Sequence, residues 1–306
     1  MQYRGMKDVL DFFTSRERIF KFFDNRHLLD WMDDERYLKL AFWAKMGHPL
    51  DLENPRTFSE KIQWLKLYDR KPEYTRRVDK FMAKQLIAEK VGEEHVIPLV
   101  GGPWKNFDEI NFAALPEQFV LKCNHDSGGV VVCRDKSSLD IQAARKKLEK
   151  KLANNYYLGG REWPYKNVEP CIFAEQLLND GKCEDGIWDY KFFCFDGEPK
   201  LMFIASDGSS DPRTDFFDMD FQHVDVRMRD PGFDVLPEKP AQFEEMKGLA
   251  RILSKGLSHV RVDFYLVDGQ VYVGEMTLYH CSGFIHINPP EWDETIGSWL
   301  KLPEKE

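Results

Sequence analysis

Residues 260–277, VRVDFYLVDGQVYVGEMT, restrict the fold more than any other stretch of this chain. Two runs rich in Val, Tyr and Phe flank Asp268-Gly269, and an Asp-Gly pair between alternating apolar residues is the strongest short-range hairpin signal. Side chains alternate faces along a strand, so turn length decides which charged residues end up together. A two-residue Asp268-Gly269 turn pairs Asp263 with Gly274 and sends Glu275 to the opposite face. A three-residue loop, with glycine in a left-handed bulge position, brings Arg261, Asp263, Glu275 and Thr277 to one face and Val262, Phe264, Leu266, Tyr272 and Met276 to the other. The cleaner segregation favours the three-residue loop.

Two adjacent carboxylates repel, and both stay ionised readily only with a cation between them. Magnesium takes oxygen ligands, commonly one or two carboxylates with phosphates and water. A salt-bridged surface hairpin, with Arg261 neutralising Asp263, explains this stretch equally well on its own.

Further signals lie upstream. FVLKCNHDSGGVVVC, residues 119–133, joins two strands through a small polar turn. It lacks the GK[ST] and following helix of a Walker loop. Gly128 and Gly129 let backbone amides approach a phosphate closely, as in a lid, although an ordinary tight turn fits as well. Lys122 alternates out of the face carrying Phe119, Leu121 and Cys123. His125 and Ser127 belong to the same turn. In DYKFFCFDGEP, Lys191 shares a face with Phe193 and Phe195, an odd setting for a solvated ammonium. CIFAEQLL ends its apolar run at Glu175, where a chain leaving a strand can offer backbone groups and a carboxylate to an adenine.

From about residue 7 to 95 the apolar spacing is helical, with SEKIQWLKLYDR capped by Thr57 or Ser59 and DKFMAKQLIAEKVG ending at Gly92. Residues 137–155 return to helix after a capping serine, and another helix falls near 241–257. Between them lie the strand-like runs VIPLV, FVLKC, VVVC, CIFAEQLL, DYKFFCF and KLMFIAS, with VRVDFYL and VYVGEM following. The mixed order predicts an α+β protein with soft boundaries, divided as 1–95, 96–172 and 173–306. A net charge of -9 over 306 residues argues against a general nucleic-acid binder. Scattered Cys123, Cys133, Cys171, Cys183, Cys194 and Cys281 lack metal spacing and suit reduced thiols in the cytoplasm. No secretory signal or membrane span is visible. The basic and aromatic N-terminus, with Phe12, Phe13, Phe20, Phe22 and Phe23 among Arg and Lys, fits ordinary amphipathic packing better than an interfacial helix on the membrane.

The ordered set of lysine, glycine turn, acidic hinge, second lysine, arginine, aspartate and glutamate resembles the ATP-grasp superfamily, in particular its TupA-like branch associated with teichuronopeptide and surface-polysaccharide synthesis. RTFSEKIQWLKLYDRKPEYTRRVDK, FVLKCNHDSGG, REWPYKN, IFAEQLL, DYKFFCFDGEPK and VYVGEMTLYHCSG carry the resemblance. It implies an ATP-grasp fold of two α+β subdomains clasping ATP behind a helical N-terminal lobe. Lys122 and Lys191 would meet phosphates, with His125, Ser127, Gly128 and Gly129 in the lid and Glu175, Gln176 and Leu177 at the adenine edge. Asp263 and Glu275 would bind Mg2+, and Arg261 the terminal phosphate. Thr277 stands where many superfamily members have Asn, which weakens a second magnesium position.

The implied chemistry is ATP-dependent carboxylate–amine ligation through an acyl phosphate, joining an amino acid or amine to a uronic acid of a surface polysaccharide, at a peripheral site on the inner membrane face. Arg161, Arg213 and His280 are the candidate acceptor contacts. A competing enzyme class is a metal-dependent glycosyltransferase, suggested by the short DxD pattern Asp218-Met219-Asp220. A third is a nucleotide-binding scaffold without turnover.

Overall fold

A computed structural model describes residues 15–180, 187–206 and 210–305. The N-terminal part is helical: α1 (Arg16–Asp24), α2 (Asp34–Met46), α3 (Phe58–Tyr68), α4 (Glu73–Val78) and α5 (Met82–Val91). Thr57 caps α3 through the Glu60 amide, and the Glu60 side chain reaches back to the Thr57 amide, closing a capping box. On α1, Phe20 is buried while Phe22 and Phe23 are exposed. The rest of the expected N-terminal amphipathic segment, residues 7–14, lies outside the described residues. Among the described residues no helix is long and apolar enough to cross a membrane.

Among the described residues ten strands form two antiparallel sheets. Strands β1 (Leu99–Trp104), β2 (Phe119–Cys123), β3 (Val130–Cys133) and β4 (Ile172–Gln176) make the first, in the order β1-β4-β2-β3. Helix α6 (Ile141–Leu152) packs on its far side through Ala144 and Leu148, and its cap is Asp140 rather than the expected serine. The second sheet takes β5 (Asp189–Phe195), β6 (Glu198–Ala205), β7 (Thr214–Phe217), β8 (His223–Val224), β9 (His259–Val267) and β10 (Gln270–Thr277), in the order β10-β9-β5-β6-β7-β8. Helix α7 (Phe243–Ser254) buries Phe243, Met246, Leu249, Ala250 and Leu253 against this sheet, the spacing of one helical face. Helix α8 (Glu291–Trp299) packs against α3. Phe58, Ile62 and Tyr74 of the N-terminal helices join the same core as Phe192 and Phe264, so α3 to α5 rest on the larger sheet.

The β9–β10 hairpin corrects the expected register while keeping its outcome. Its turn has two residues, Asp268 (φ 51°) and Gly269 (φ 81°), both left-handed as the tightest hairpin turn requires. Val267 pairs with Gln270, and the ladder runs regularly to Phe264 opposite Val273. There a bulge at Gly274 slips the register, so Glu275 faces Asp263 and Thr277 faces Arg261. A Cβ on Gly274 would lie 2.7 Å from the Tyr265 ring, which explains glycine at this position. The extra residue is therefore inside the strand and not in the loop. Tyr272 consequently pairs with Tyr265 on the charged face, and Val271 and Val273 take the core positions.

Candidate functional site

Strand pairing assembles the charged face before any side chain is considered. On adjacent strands β5, β9 and β10, Lys191, Asp263 and Glu275 form one rung, and Phe193, Arg261 and Thr277 form the next. Opposite them, β2 and β4 place Lys122 and Glu175 on the smaller sheet. Between the sheets lies a cleft of about 850 Å³, lined by Lys122, Glu175, Lys191, Arg261 and Glu275. That volume falls within the ~300–1,000 Å³ of small-molecule sites.

Each cationic group is held in place. Lys122 Nζ sits 2.5 Å from Glu175 Oε1 and Lys84 Nζ 2.9 Å from Oε2. Burial alone would raise the Glu175 carboxyl, but Lys122 and Lys84 outweigh it and keep it low. Both Glu175 oxygens are thus occupied by the Lys122 and Lys84 ammoniums. Gln176 and Leu177 line the cleft just beyond it.

On the larger sheet, Asp263 is 2% exposed and both its oxygens are taken. Arg261 grips it through Nε and Nη2 at 2.6 Å each, and Lys191 lies 3.2 Å away. Lys191 also pairs with Asp189 at 3.2 Å. Arg261 donates Nη1 to His280 Nδ1 at 2.6 Å and Nη2 to Thr277 Oγ1 at 3.2 Å. With five N–H groups on a guanidinium, four are accounted for by these contacts and one Nη1 hydrogen is left over. Burial, reinforced by the Arg261 charge, holds His280 well below its usual range, so the neutral ring accepts from Arg261. His280 lines the cleft as an acceptor candidate should, yet its first task is to orient Arg261.

Glu275 is more open, with 32% of its side chain exposed. Lys80 Nζ approaches Oε1 at 3.0 Å and Arg261 Nη2 lies 4.0 Å from Oε2. Burial pushes Glu275 upward, but the charges of Lys80 and Arg261 prevail and bring it down to about 2. Lys80 was not among the residues expected from sequence. It follows Asp79, whose Oδ1 caps α5 through the Phe81 and Met82 amides, and its ammonium also meets the Asp126 carbonyl at 2.8 Å. The Asp-Lys step at a helix junction was its signal, hidden within an amphipathic pattern.

The expected lid divides. Ser127 and Gly128 line the cleft, and Lys151 holds the Ser127 carbonyl at 3.0 Å. The Gly129 amide is spent on Asp126 Oδ1 at 3.1 Å, and its missing Cβ makes room for that carboxylate. His125 turns inward, 3% exposed, with Nε2 at 3.2 Å from the Asn154 carbonyl. Neither His125 nor Gly129 lines the cleft.

Two acceptor candidates also fall elsewhere. Arg161 is buried over the Tyr37 ring, 4.4 Å away, and bonds the Leu29 carbonyl, so it ties down the helical region. Arg213 is engaged by Asp211 at 2.6 Å and by the Gly232 carbonyl, away from the cleft lining. The DxD aspartates are likewise remote: Asp218 Oδ1 accepts from the amides of Asp220 and Gln222 and closes the β7–β8 turn.

For magnesium, the accessible hard oxygens on this face are the Glu275 carboxylate and the Thr277 hydroxyl, while Asp263, in register with Glu275, has both oxygens on Arg261 and Lys191. Among the described residues no three His, Cys, Asp or Glu side chains converge as a metal cluster, so phosphate oxygens and water would complete the shell.

No curated protein matches the chain. Among solved structures it is similar to a D-alanine–D-alanine ligase from Bacillus anthracis, with 20% identity, a TM-score of 0.36, and 66% of this chain and 57% of that one covered. It is also similar to an L-amino acid ligase from Bacillus licheniformis, with 14% identity, a TM-score of 0.45, and coverage of 83% and 57%. The chain therefore spans a little over half the length of either protein. The TupA-like ATP-grasp family matches residues 60–301, most of the sequence. By that match, and with this α+β arrangement of two antiparallel sheets around a cationic cleft, the chain belongs to the TupA-like ATP-grasp family.

Proposed function

We propose that this protein is an ATP-dependent carboxylate–amine ligase. The observation that carries the reading is the cleft itself, where Lys122 of one sheet faces the Lys191–Asp263–Glu275 rung of the other. Phosphoryl transfer is catalysed mainly by positioning and by offsetting charge, and this cleft is built for both. Lys122, Lys191 and Lys80 offset the charge of a triphosphate, and Ser127 and Gly128 cover it. The end of β4, at Gln176 and Leu177, receives the adenine. Arg261, oriented by Asp263 and His280, turns its remaining N–H toward the terminal phosphate. Magnesium held by Glu275 would neutralise phosphate charge that otherwise repels an anionic nucleophile.

In this reading a substrate carboxylate attacks the γ-phosphorus, ADP leaves, and an amine then displaces phosphate from the acyl phosphate. The favoured substrates are an amino acid or amine and a uronic acid of a surface polysaccharide. Peripheral association with a membrane-bound polysaccharide assembly follows from that substrate class.

The test is a screen of amino acids and uronic-acid glycans for ADP release, with mass spectrometry of the product. An amide and ADP in equal amounts are expected, and both should vanish in Lys191→Ala. Turnover near the native level in Lys191→Ala, or UDP released from a sugar nucleotide in place of ADP from ATP, would refute the reading.

A further inference from the structure

One cleft carboxylate has no part in the nucleotide machinery. Glu162 belongs to the REWPYKN segment between α6 and β4, is 6% exposed, and lines the cleft. Every other acidic residue lining it has a cation close by: Lys122 and Lys84 for Glu175, Lys191 for Asp189, Arg229 at 3.5 Å for Asp230, and Lys80 for Glu275. Among the described residues Glu162 has no such ion pair. The nearest positive charge behind it, Lys66, is fully buried and is spent on other atoms. Its Nζ donates to Gln63 Oε1 at 3.0 Å, the Gly160 carbonyl at 2.9 Å, and the carbonyl and hydroxyl of Ser282 at 2.7 and 2.8 Å.

The surroundings of Glu162 suit a small cation. Tyr156 and Tyr165 meet edge to face at 4.7 Å, and both line the cleft within the electrostatic reach of Glu162. An aromatic wall beside a carboxylate attracts an ammonium through both the ring faces and the charge. The Ser282 hydroxyl donates a hydrogen bond to Glu162. Ser282 and Cys281 both hold left-handed backbone, at φ 55° and 48°, next to Gly283 at 65°. Gln63 fixes this turn by donating to the Ser282 and Gly283 carbonyls at 3.0 Å each. Strained backbone fixed from behind is a common feature of ligand sites.

We propose that Glu162, with Tyr156, Tyr165 and Ser282 around it, is the seat of the amine substrate, binding it as an ammonium and taking the proton its nitrogen must lose before attack. The inference rests on the ligase reading and deepens it by assigning the second substrate. One N–H bond of the ammonium breaks toward a Glu162 oxygen, and the freed lone pair forms the C–N bond at the acyl carbon. The C–O bond to phosphate breaks with its electron pair, and the departing phosphate takes the second nitrogen proton. Burial raises Glu162, against the opposing pull of Lys66, which makes its carboxylate a stronger base than one in water.

The experiment uses the full chain with MgADP and two probes, glycinamide and its uncharged analogue N-acetylglycinamide, read by saturation-transfer NMR. Glycinamide should contact the native protein and N-acetylglycinamide should not. In Glu162→Gln and in Tyr156→Leu the glycinamide contact should weaken about tenfold, the loss of one charged interaction. Turnover supplies the second readout, with hydroxylamine as a nucleophile that is already unprotonated near neutral pH. The ratio of amide made from glycinamide to hydroxamate made from hydroxylamine should drop about a hundredfold in Glu162→Gln, the scale of one general base, and recover as pH rises. Unchanged glycinamide contact in Glu162→Gln, or an unchanged ratio, overturns the proposal. A native protein that yields neither hydroxamate nor ADP with any carboxylate offered overturns the ligase reading instead, and the NMR contact then decides the amine site alone.

Discussion

On the smaller sheet Glu175 is clamped by Lys122 and Lys84, and on the larger sheet Asp263 is clamped by Arg261 and Lys191. Both carboxylates are buried and both have each oxygen occupied. Glu275, one strand away from Asp263, is a third of the way into solvent and is met by a single lysine from the helical region. The two enclosed carboxylates set where the cations point, and the open one keeps part of its surface toward the cleft. A buried ion pair gains little net stability over apolar packing, yet losing one partner strands a charge in low dielectric. Asp263 and Glu275 should therefore fail in different ways, although they share a rung.

The largest effect is expected from Asp263→Ala, which strands Arg261 and Lys191 and should cost about 3–5 kcal/mol of stability in urea unfolding. A loss under about 1 kcal/mol would mean that water reaches this pair freely. Glu275→Ala should reverse the pattern. Stability falls by less than in Asp263→Ala, by about 1–2 kcal/mol once solvent screening of this half-open group is allowed for, while substrate-dependent ADP formation falls by about 10²–10³-fold, the scale of one transition-state electrostatic contact. Equal stability losses in the two variants would erase the distinction between clamp and ligand.

A smaller effect tests the bulge that brings Glu275 to the cleft. Gly274→Ala forces a Cβ toward the Tyr265 ring and should destabilise by about 1–3 kcal/mol, with ADP formation reduced as Glu275 shifts. Full activity in Gly274→Ala would show that the face of Glu275 is set elsewhere. The smallest effect is in pH dependence. The Glu275 carboxyl lies at about 2 in the folded protein against 4.5 unperturbed, so its contribution to stability is complete above about 4.5 and fades as pH falls through about 2. Native protein and Glu275→Gln should thus show parallel stability from about pH 5 to 8 and converge only in acid; convergence near neutrality would contradict the assigned shift.

Much of this site could be read from strand alternation, and what could not has a physical cause. Lys122, Lys191, Arg261, Asp263 and Glu275 stand on strands whose apolar neighbours fix their faces, so each lines or backs the cleft. The bulge was misplaced because glycine is equally at home in a turn and in a strand interior, and only the Tyr265 contact distinguishes the two. Strands β7 and β8 escaped notice because TDFF is short and buried on both faces, leaving no alternation. Arg161 resembled a free cation because its partners Tyr37 and Asp34 are distant in sequence, whereas Arg213 is engaged by its near neighbour Asp211 as well as by Asp234. Lys80 and Glu162 sit on a helix junction and an irregular segment, where no period marks a face. The family resemblance, resting on strand and helix motifs together, supplied the fold.

Calorimetric titration of ATP with and without Mg2+, on the native protein and on Glu275→Gln, bears most directly on the claim that Glu275 is a ligand-ready carboxylate facing the phosphate lysines. Magnesium should tighten ATP binding to the native protein by tenfold or more, roughly 1.4 kcal/mol, and this gain should disappear in Glu275→Gln. ATP binding that ignores magnesium, or a magnesium gain that survives intact in Glu275→Gln, would contradict it.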